Sequence, residues 1–381
     1  MKKIGILAFG DKHGGGGYQY TQSIIDALKE DKLNEYILFC NSNDSKFDHY
    51  GLEVRKINKS SSNLFEKAIR LFQFLFFLRK PYFFTKKEIK TFKDIDMFIS
   101  PVISAYPHFY INKPFIFTLH DMQEKYYPEF FSRYERFLRW LNNKTLAKSA
   151  TNIICESSFV KNDIIKFTGV EGAKINIIQS PPPESFLNYI FDEAQFKAVR
   201  EKYNLPQKYI FYPAQCWFHK NHIKLVEAFE LVTKNIDDVY LILTGSQQNN
   251  YNNLMKRIDE LGLNEKVKHL GYIDYEDLVY LYKMSQMLVM PTLFESVSIP
   301  IYEAFALEVP VCSSDVVALP EQVGEAGLIF NPIDINNMAE KMLMYLKNED
   351  LRREKAKKGF ARIANFNHEE YREKLLKVLN T

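Results

Sequence analysis

Cysteine is scarce in this chain, with four among 381 residues. Cys40, Cys155, Cys216 and Cys312 stand far apart and form neither a C-x-x-C pair nor a ligand-like cluster, which excludes a disulfide framework and a thiolate metal centre. They read as buried thiols of a reducing compartment. No uninterrupted hydrophobic run approaches the ~20 residues needed to cross a bilayer. The longest apolar stretch, residues 64–84, is broken by Glu66, Lys67, Arg70, Gln73, Arg79 and Lys80. The opening Met1-Lys2-Lys3-Ile4-Gly5-Ile6-Leu7 reaches Asp11 and Lys12 before a signal-peptide core develops. A cytoplasmic protein is the expectation. A dominant charge is missing as well. Lys+Arg total 50 against 47 Asp+Glu, a formal +3, and a nucleic-acid binder carries a far more basic surface.

What is present is ordinary globular composition, 46% hydrophobic and 25% charged, at a length that suggests about two domains. The near-neutral total hides an asymmetry. Residues 1–180 hold 27 Lys/Arg and 19 Asp/Glu, net +8, and the remainder holds 23 and 28, net −5. Short apolar runs alternate with helix-length amphipathic segments throughout. The pattern predicts strands at 3–9, 36–40, 97–100, 115–119, 152–155 and 175–178, then at 209–212, 240–244, 267–270, 287–290, 309–312 and 328–330. Continuous apolar strands between helices indicate parallel sheets covered on both faces. The fold class is therefore α/β, as two doubly wound domains with a cleft between them. The run Ser180-Pro181-Pro182-Pro183 excludes helix and marks the boundary, giving domains over 1–182 and 183–365. In such sheets ligands bind where loops leave the carboxyl ends of strands.

Four of these loops carry candidate chemistry. After the first predicted strand comes Gly14-Gly15-Gly16-Gly17, followed by a predicted helix from about Tyr20 to Glu30. Glycines let backbone amides approach an anion, although a flexible turn has the same composition. The spacing is not G-x-G-x-x-G with an acid about 20 residues on, which argues against a nicotinamide oxidoreductase. At the end of a later strand stands His120-Asp121. Its imidazole can donate to a sugar or phosphate oxygen or move a proton, or serve only as a backbone-bonded structural group, and Asp121 is expected to cap the next turn. The stretch Gln215-Cys216-Trp217-Phe218-His219-Lys220-Asn221-His222 opens a helix predicted over 223–231. A lysine at such a helix start pairs with a diphosphate. Finally, strand 287–290 runs into Glu295, and Glu303 follows eight residues later. A helix starting near Ile299–Pro300 would place Glu303 on its first turn facing Glu295, with the amides of Ser298 and Ile299 aimed at an anion.

The segment Glu295 to Glu303 resembles the E-x7-E signature of family 4 (group 1) glycosyltransferases of the GT-B fold, of the bacterial cell-surface polysaccharide type. The likeness extends in order and spacing through Gly14–Gly17, His120-Asp121, Ile154-Cys155-Glu156-Ser157, Lys220, Leu243-Thr244-Gly245, Gly271-Tyr272 and Pro310-Val311, from about residue 2 to 345. The resemblance implies two Rossmann-like domains facing each other across a cleft, and a final helix, about 366–381, crossing back to the first. It implies that Glu303 binds the donor's ribose hydroxyls and Glu295 the transferred sugar. The amides of Ser298 and Ile299 would hold the diphosphate beside Lys220, with Gln215, Thr244 and Gly245 lining the donor site and Tyr272 and Ile273 bordering the base. Gly16, Gly17 and His120 would approach from the first domain. Two positions depart from the family pattern. Gln215 replaces an arginine, leaving His219 or the other domain to supply a donor. Glu295-Ser296-Val297-Ser298-Ile299-Pro300 stands for E-G-F-G-[LI]-P.

The implied reaction is retaining transfer of a hexose from a UDP or GDP sugar, with no covalent nucleophile, no cofactor and no metal. Asp94-Ile95-Asp96 has the D-x-D form of a metal motif but precedes its strand, so it reads as a solvated turn. Between Lys67 and Lys93 eight Lys/Arg face one acid, Glu88, among many aromatics. Basic aromatic segments attach to anionic membranes. Lys67, Arg70, Phe76, Phe77, Arg79, Lys80, Lys86 and Lys87 are thus the candidate membrane or acceptor face, which the segment from Tyr126 to Trp140, with Arg133, Arg136 and Arg139, could extend. The expected partners are a nucleotide sugar, a glycan or lipid-linked acceptor for surface polysaccharide or lipopolysaccharide, and the cytoplasmic leaflet; no nucleic acid is expected. The competing readings are a nucleotide-sugar 2-epimerase of the same fold and a non-catalytic sugar-nucleotide-binding protein.

Overall fold

The computed structural model describes residues 1–9, 16–41, 46–57, 72, 90–104, 113–364 and 366–380. The chain divides into two compact units, Met1–Ser180 with His368–Thr381, and Pro181–Asn367. Among the described residues no helix is long and apolar enough to cross a membrane.

Unit 1 contains β1 (Lys3–Leu7), α1 (Gly16–Lys29), β2 (Glu35–Asn41), β3 (Glu53–Ile57), β4 (Met97–Ser100), β5 (Phe115–Thr118), α2 (Arg133–Ser149), β6 (Asn152–Cys155), α3 (Ser158–Thr168) and β7 (Ile175–Ile177). The strands form one parallel sheet in the order β3-β2-β1-β4-β5-β6-β7. The order reverses between β1 and β4, the switch point at which such sheets bind ligands. On α1 the residues Tyr20, Thr21, Ile24, Ile25 and Leu28 are buried at helical spacing, so one stripe of the helix faces the sheet. Reciprocal bonds between Ser132 and Glu135 cap α2, which satisfies amides that the first turn cannot pair internally.

Unit 2 contains α4 (Glu184–Leu187), α5 (Glu193–Lys202), β8 (Tyr209–Pro213), α6 (His222–Thr233), β9 (Tyr240–Thr244), α7 (Tyr251–Glu260), β10 (Val267–His269), α8 (Tyr275–Met284), β11 (Met287–Met290), α9 (Ile299–Ala306), β12 (Val311–Ser314), α10 (Leu319–Val323), β13 (Gly327–Phe330), α11 (Ile335–Lys347) and α12 (Glu349–Arg362). Its parallel sheet runs β10-β9-β8-β11-β12-β13, with the reversal between β8 and β11. The final helix α13 (His368–Leu379) belongs to unit 1. There Tyr371, Leu375 and Val378 join the cluster of Tyr20, Ile24 and Ile4. Each fully buried side chain of this size contributes roughly 1.5–3 kcal/mol.

The structure departs from the sequence reading in a few places. β3 was not expected, since Glu-Val-Arg-Lys-Ile lacks an apolar run; it is the edge strand and is only partly buried. β12 starts at Val311 rather than Val309, because the Val309 N–H bonds the Ala304 carbonyl at 2.8 Å and Pro310 has none to give. α1 begins at Gly16, four residues ahead of the expected start. Asp94 and Asp96 are exposed at the turn before β4, as expected, and each also has a partner. Asp94 receives two bonds from Arg55 at 2.6 and 2.9 Å, and Asp96 accepts the Lys3 N–H at 2.8 Å. All four cysteines are buried and unbridged.

Candidate functional site

At the switch point of unit 2 the loops leaving β8 and β11 are tied together. Asn221 adopts the left-handed conformation, φ 60°, which its short side chain tolerates. Its Nδ2 donates to the carbonyls of Pro291 and Pro332, both at 2.9 Å. The His219 carbonyl accepts from Leu293 N–H at 2.7 Å and Thr292 Oγ1 at 3.0 Å. These bonds bring Lys220 Nζ to 2.5 Å from Glu295 Oε2, with only 18% and 16% of the two side chains exposed. The two residues expected to hold diphosphate and sugar therefore hold each other. A partly shielded ion pair of this kind holds both groups oriented until a ligand offers each a better partner.

Glu303 lies in the second turn of α9, one turn further than expected, and is 2% exposed. Tyr282 OH donates to Oε2 at 2.7 Å and Tyr275 OH to Oε1 at 3.2 Å. Burial pushes its carboxyl up to about 7, against the two phenols, which pull it down. The Ser298 amide is already engaged: it donates to Gln322 Oε1 at 2.9 Å, while Gln322 Nε2 donates back to the Ser298 carbonyl at 2.7 Å. A phosphate would have to displace Gln322 to reach it, which shifts the expected anion contact toward Ile299, the first residue of α9. The Ser298 hydroxyl is buried with no partner among the described residues.

The remaining candidates of unit 2 sit on the same rim. Thr244 ends β9, and Gly245 follows at φ +119°, where a Cβ would lie 2.6 Å from the Ala214 carbonyl. Glycine is required at that position on both counts. Gly245 N–H donates to Gly271 O at 2.7 Å. Beyond Gly271, Tyr272 is 56% exposed and Ile273 is buried. Gln215 Oε1 accepts from Trp217 Nε1 at 2.8 Å. His219 does not replace the missing arginine as a cation: burial, with the Lys220 charge beside it, pushes its imidazole down to about 3. His222 is a buried neutral histidine whose Nε2 bonds the Ala214 carbonyl at 3.2 Å.

In unit 1, Gly16 and Gly17 form the first turn of α1 beside the switch point. His120 follows β5. Its Nδ1 lies 3.1 Å from Glu156 Oε2, its Nε2 2.9 Å from the Pro101 carbonyl, and its ring stands edge-on to Tyr20. A carboxylate and a backbone carbonyl on the two ring nitrogens favour the doubly protonated imidazole. Burial opposes that charge, but the hydrogen bond and charge of Glu156 outweigh it and raise the imidazole above its usual 6.5. Asp121 caps the next turn through Gln123 N–H at 3.1 Å. Arg139 turns inward to Glu124 and Asp121, both at 2.9 Å, and so leaves the outer face to Arg133 and Arg136. Lys67, Arg70, Phe76, Phe77, Arg79, Lys80, Lys86 and Lys87 lie outside the described residues.

Sequence reasoning missed the partners rather than the chemistry-bearing groups. Tyr275, Tyr282, Gln322, Asn221 and Glu156 each reach their target from 21 to 111 residues away. The sequence carries a faint signal for the phenols, since Tyr275 and Tyr282 are seven residues apart and share one helix face.

Family models match most of the chain. Residues 14–181 match the model of Glycosyltransferase Family 4, and residues 195–362 match that of Glycosyl transferases group 1. The chain is 27% identical over 269 residues to O-antigen chain mannosyltransferase B of Escherichia coli, covering 69% of this chain and 70% of that protein. It is 26% identical over 326 residues to O-antigen chain mannosyltransferase RfbU of Salmonella typhimurium, covering 85% of each. Among solved structures, Anabaena Alr3699/HepE in complex with UDP and glucose superposes with a TM-score of 0.78 at 16% identity, over the whole of both chains.

Proposed function

The chain belongs to the group 1 glycosyltransferases of the GT-B fold, and from that premise we propose that it moves a hexose from a nucleotide diphosphate sugar to a hydroxyl of a lipid-linked or glycan acceptor in O-antigen or other surface-polysaccharide synthesis. The observation that carries this reading is the Lys220–Glu295 pair, 2.5 Å apart at the switch point of unit 2. When donor enters, Lys220 exchanges Glu295 for the diphosphate, and Glu295 becomes free to accept from hydroxyls of the sugar. Glu303 takes the ribose, and the Ile299 amide and the Ser298 hydroxyl add donors at the start of α9. Thr244, Gly245 and Gln215 line the donor, and Tyr272 and Ile273 border its base. We assign Gly16, Gly17 and His120 of unit 1 to phosphate and sugar contact.

In the transfer the bond from the anomeric carbon to the phosphate oxygen breaks. The acceptor oxygen bonds that carbon from the same face, and the acceptor proton passes to the departing phosphate. Configuration is retained, and charge developing on the diphosphate meets Lys220 and fixed dipoles, without a metal. The names of the two curated relatives support a mannosyl donor. The outer turns of α2 expose Tyr134, 70% accessible, with Phe137, Trp140, Arg133 and Arg136. That surface supports a peripheral seat on the cytoplasmic leaflet.

Incubation with a panel of UDP and GDP sugars, GDP-mannose among them, with and without lipid-linked acceptor and with and without EDTA, tests the reading. Acceptor-dependent release of nucleoside diphosphate that survives EDTA, with a product of unchanged anomeric configuration, is expected. Interconversion of the donor sugar in the absence of acceptor would instead mean epimerisation.

A further inference from the structure

Two phenols hold Glu303, and they are not equivalent. Tyr282 is fully buried, its ring edge-on to Phe186 at 5.7 Å and to Phe211 at 5.0 Å between centroids. Its 2.7 Å bond to Oε2 is the shorter of the two. Tyr275, at the start of α8, is half-buried, leans on Phe186 at 5.2 Å, and reaches Oε1 at 3.2 Å. Phe186 is itself fully buried in α4. The ring of Tyr282 is thus wedged from two sides, whereas Tyr275 is only half-buried and holds Glu303 by the longer bond. A buried carboxylate requires donors on its lone pairs, and of its two phenol bonds the longer one, from the less enclosed Tyr275, is the one a ribose hydroxyl replaces more easily.

We propose that Tyr282 is the fixed positioning residue that holds Glu303 for the ribose of the donor nucleotide, and that Tyr275 is a placeholder whose phenol yields Oε1 to a ribose hydroxyl. This rests on the assignment of Glu303 to the ribose made above. The phenols lower a carboxyl that burial raises to about 7, so the loss of Tyr282 also favours the protonated acid, which presents one acceptor fewer.

Calorimetric titration of the full chain with UDP and GDP, and with their 2′-deoxy and 3′-deoxy forms, separates the roles. Wild type is expected to prefer the ribonucleotide over a deoxy form by about tenfold. Tyr282→Phe brings that ratio close to one while leaving the deoxy affinity within about twofold, because only a ribose-directed group is lost. Tyr275→Phe keeps the ratio, with ribonucleotide affinity unchanged or a few-fold higher. A merely structural role would weaken ribo and deoxy forms together and leave the ratio intact, and that result in Tyr282→Phe overturns the proposal. Should Tyr282→Phe not fold, the half-buried position decides: loss of the ratio in Tyr275→Phe contradicts the placeholder role. A wild type that binds neither nucleotide, or does not distinguish ribose from deoxyribose, overturns the ribose assignment itself.

Discussion

The two units treat the charged groups at their switch points differently. In unit 1 the His120 imidazole is bonded on both ring nitrogens, to Glu156 and to a backbone carbonyl that cannot leave. In unit 2 the charges of Lys220 and Glu295 are satisfied by each other, and Glu303 by neutral phenols. A group tied to main chain behaves as a fixed wall. Groups tied to one another's side chains can exchange partners for a ligand, since breaking one such pair frees two sites at once. On the proposed reading the reacting electrostatics belong to unit 2, and His120 makes its sugar or phosphate contact with a ring already oriented by Glu156 and Pro101.

Removal of Lys220 is the strongest attack on that contrast. Lys220→Ala should lower kcat by about 100- to 1000-fold, the range for loss of a group that stabilises developing charge, and leave Glu295 without its cation; turnover with donor in excess checks it. His120→Gln should cost far less in the same assay, because the histidine orients ligand rather than meeting the charge that develops on the departing diphosphate. Next comes the rim of unit 2. Gly245→Ala places a Cβ 2.6 Å from the Ala214 carbonyl at a φ of +119°, and a loss of roughly 3 kcal/mol is expected, read as a lower denaturation midpoint. Gln322→Leu, which unties Ser298, should raise the donor KM several-fold with little change in melting temperature.

The smallest effects are pH-dependent. Glu303, raised to about 7 by burial, contributes stability that is complete below its unfolded value near 4.5 and is lost as pH rises through 7. Denaturation of Glu303→Gln against wild type between pH 5 and 8 should therefore show the gap closing or reversing as pH rises. His120, raised above 6.5 by Glu156, follows the same sign: its contribution is full below about 6.5 and fades at higher pH. The two variants separate the contribution of each unit.

Much of this was legible in the chain. Buried parallel strands announce themselves as apolar runs, so the strands of both sheets except β3 could be placed. β3 escaped because an edge strand needs no apolar run, and its Arg55 is there to pair with Asp94. Glu295 and Glu303 stand on one motif of local spacing, and Lys220 on a separate helix-start stretch. Their mutual arrangement is not local. Lys220 meets Glu295 across 75 residues, and Glu303 meets its phenols across 21 and 28. Such partners are fixed by which strands lie side by side, and one-dimensional spacing does not record that.

Equilibrium binding of UDP and GDP to wild type and to Glu303→Gln, at pH 8 where the carboxyl is ionised, bears most directly on the donor site. One of the two nucleotides should bind wild type and bind the variant at least about tenfold more weakly, the scale of a lost hydrogen bond to a charged group. Equal affinity in the two proteins, or no binding of either nucleotide, would contradict the placement of the donor nucleotide in unit 2.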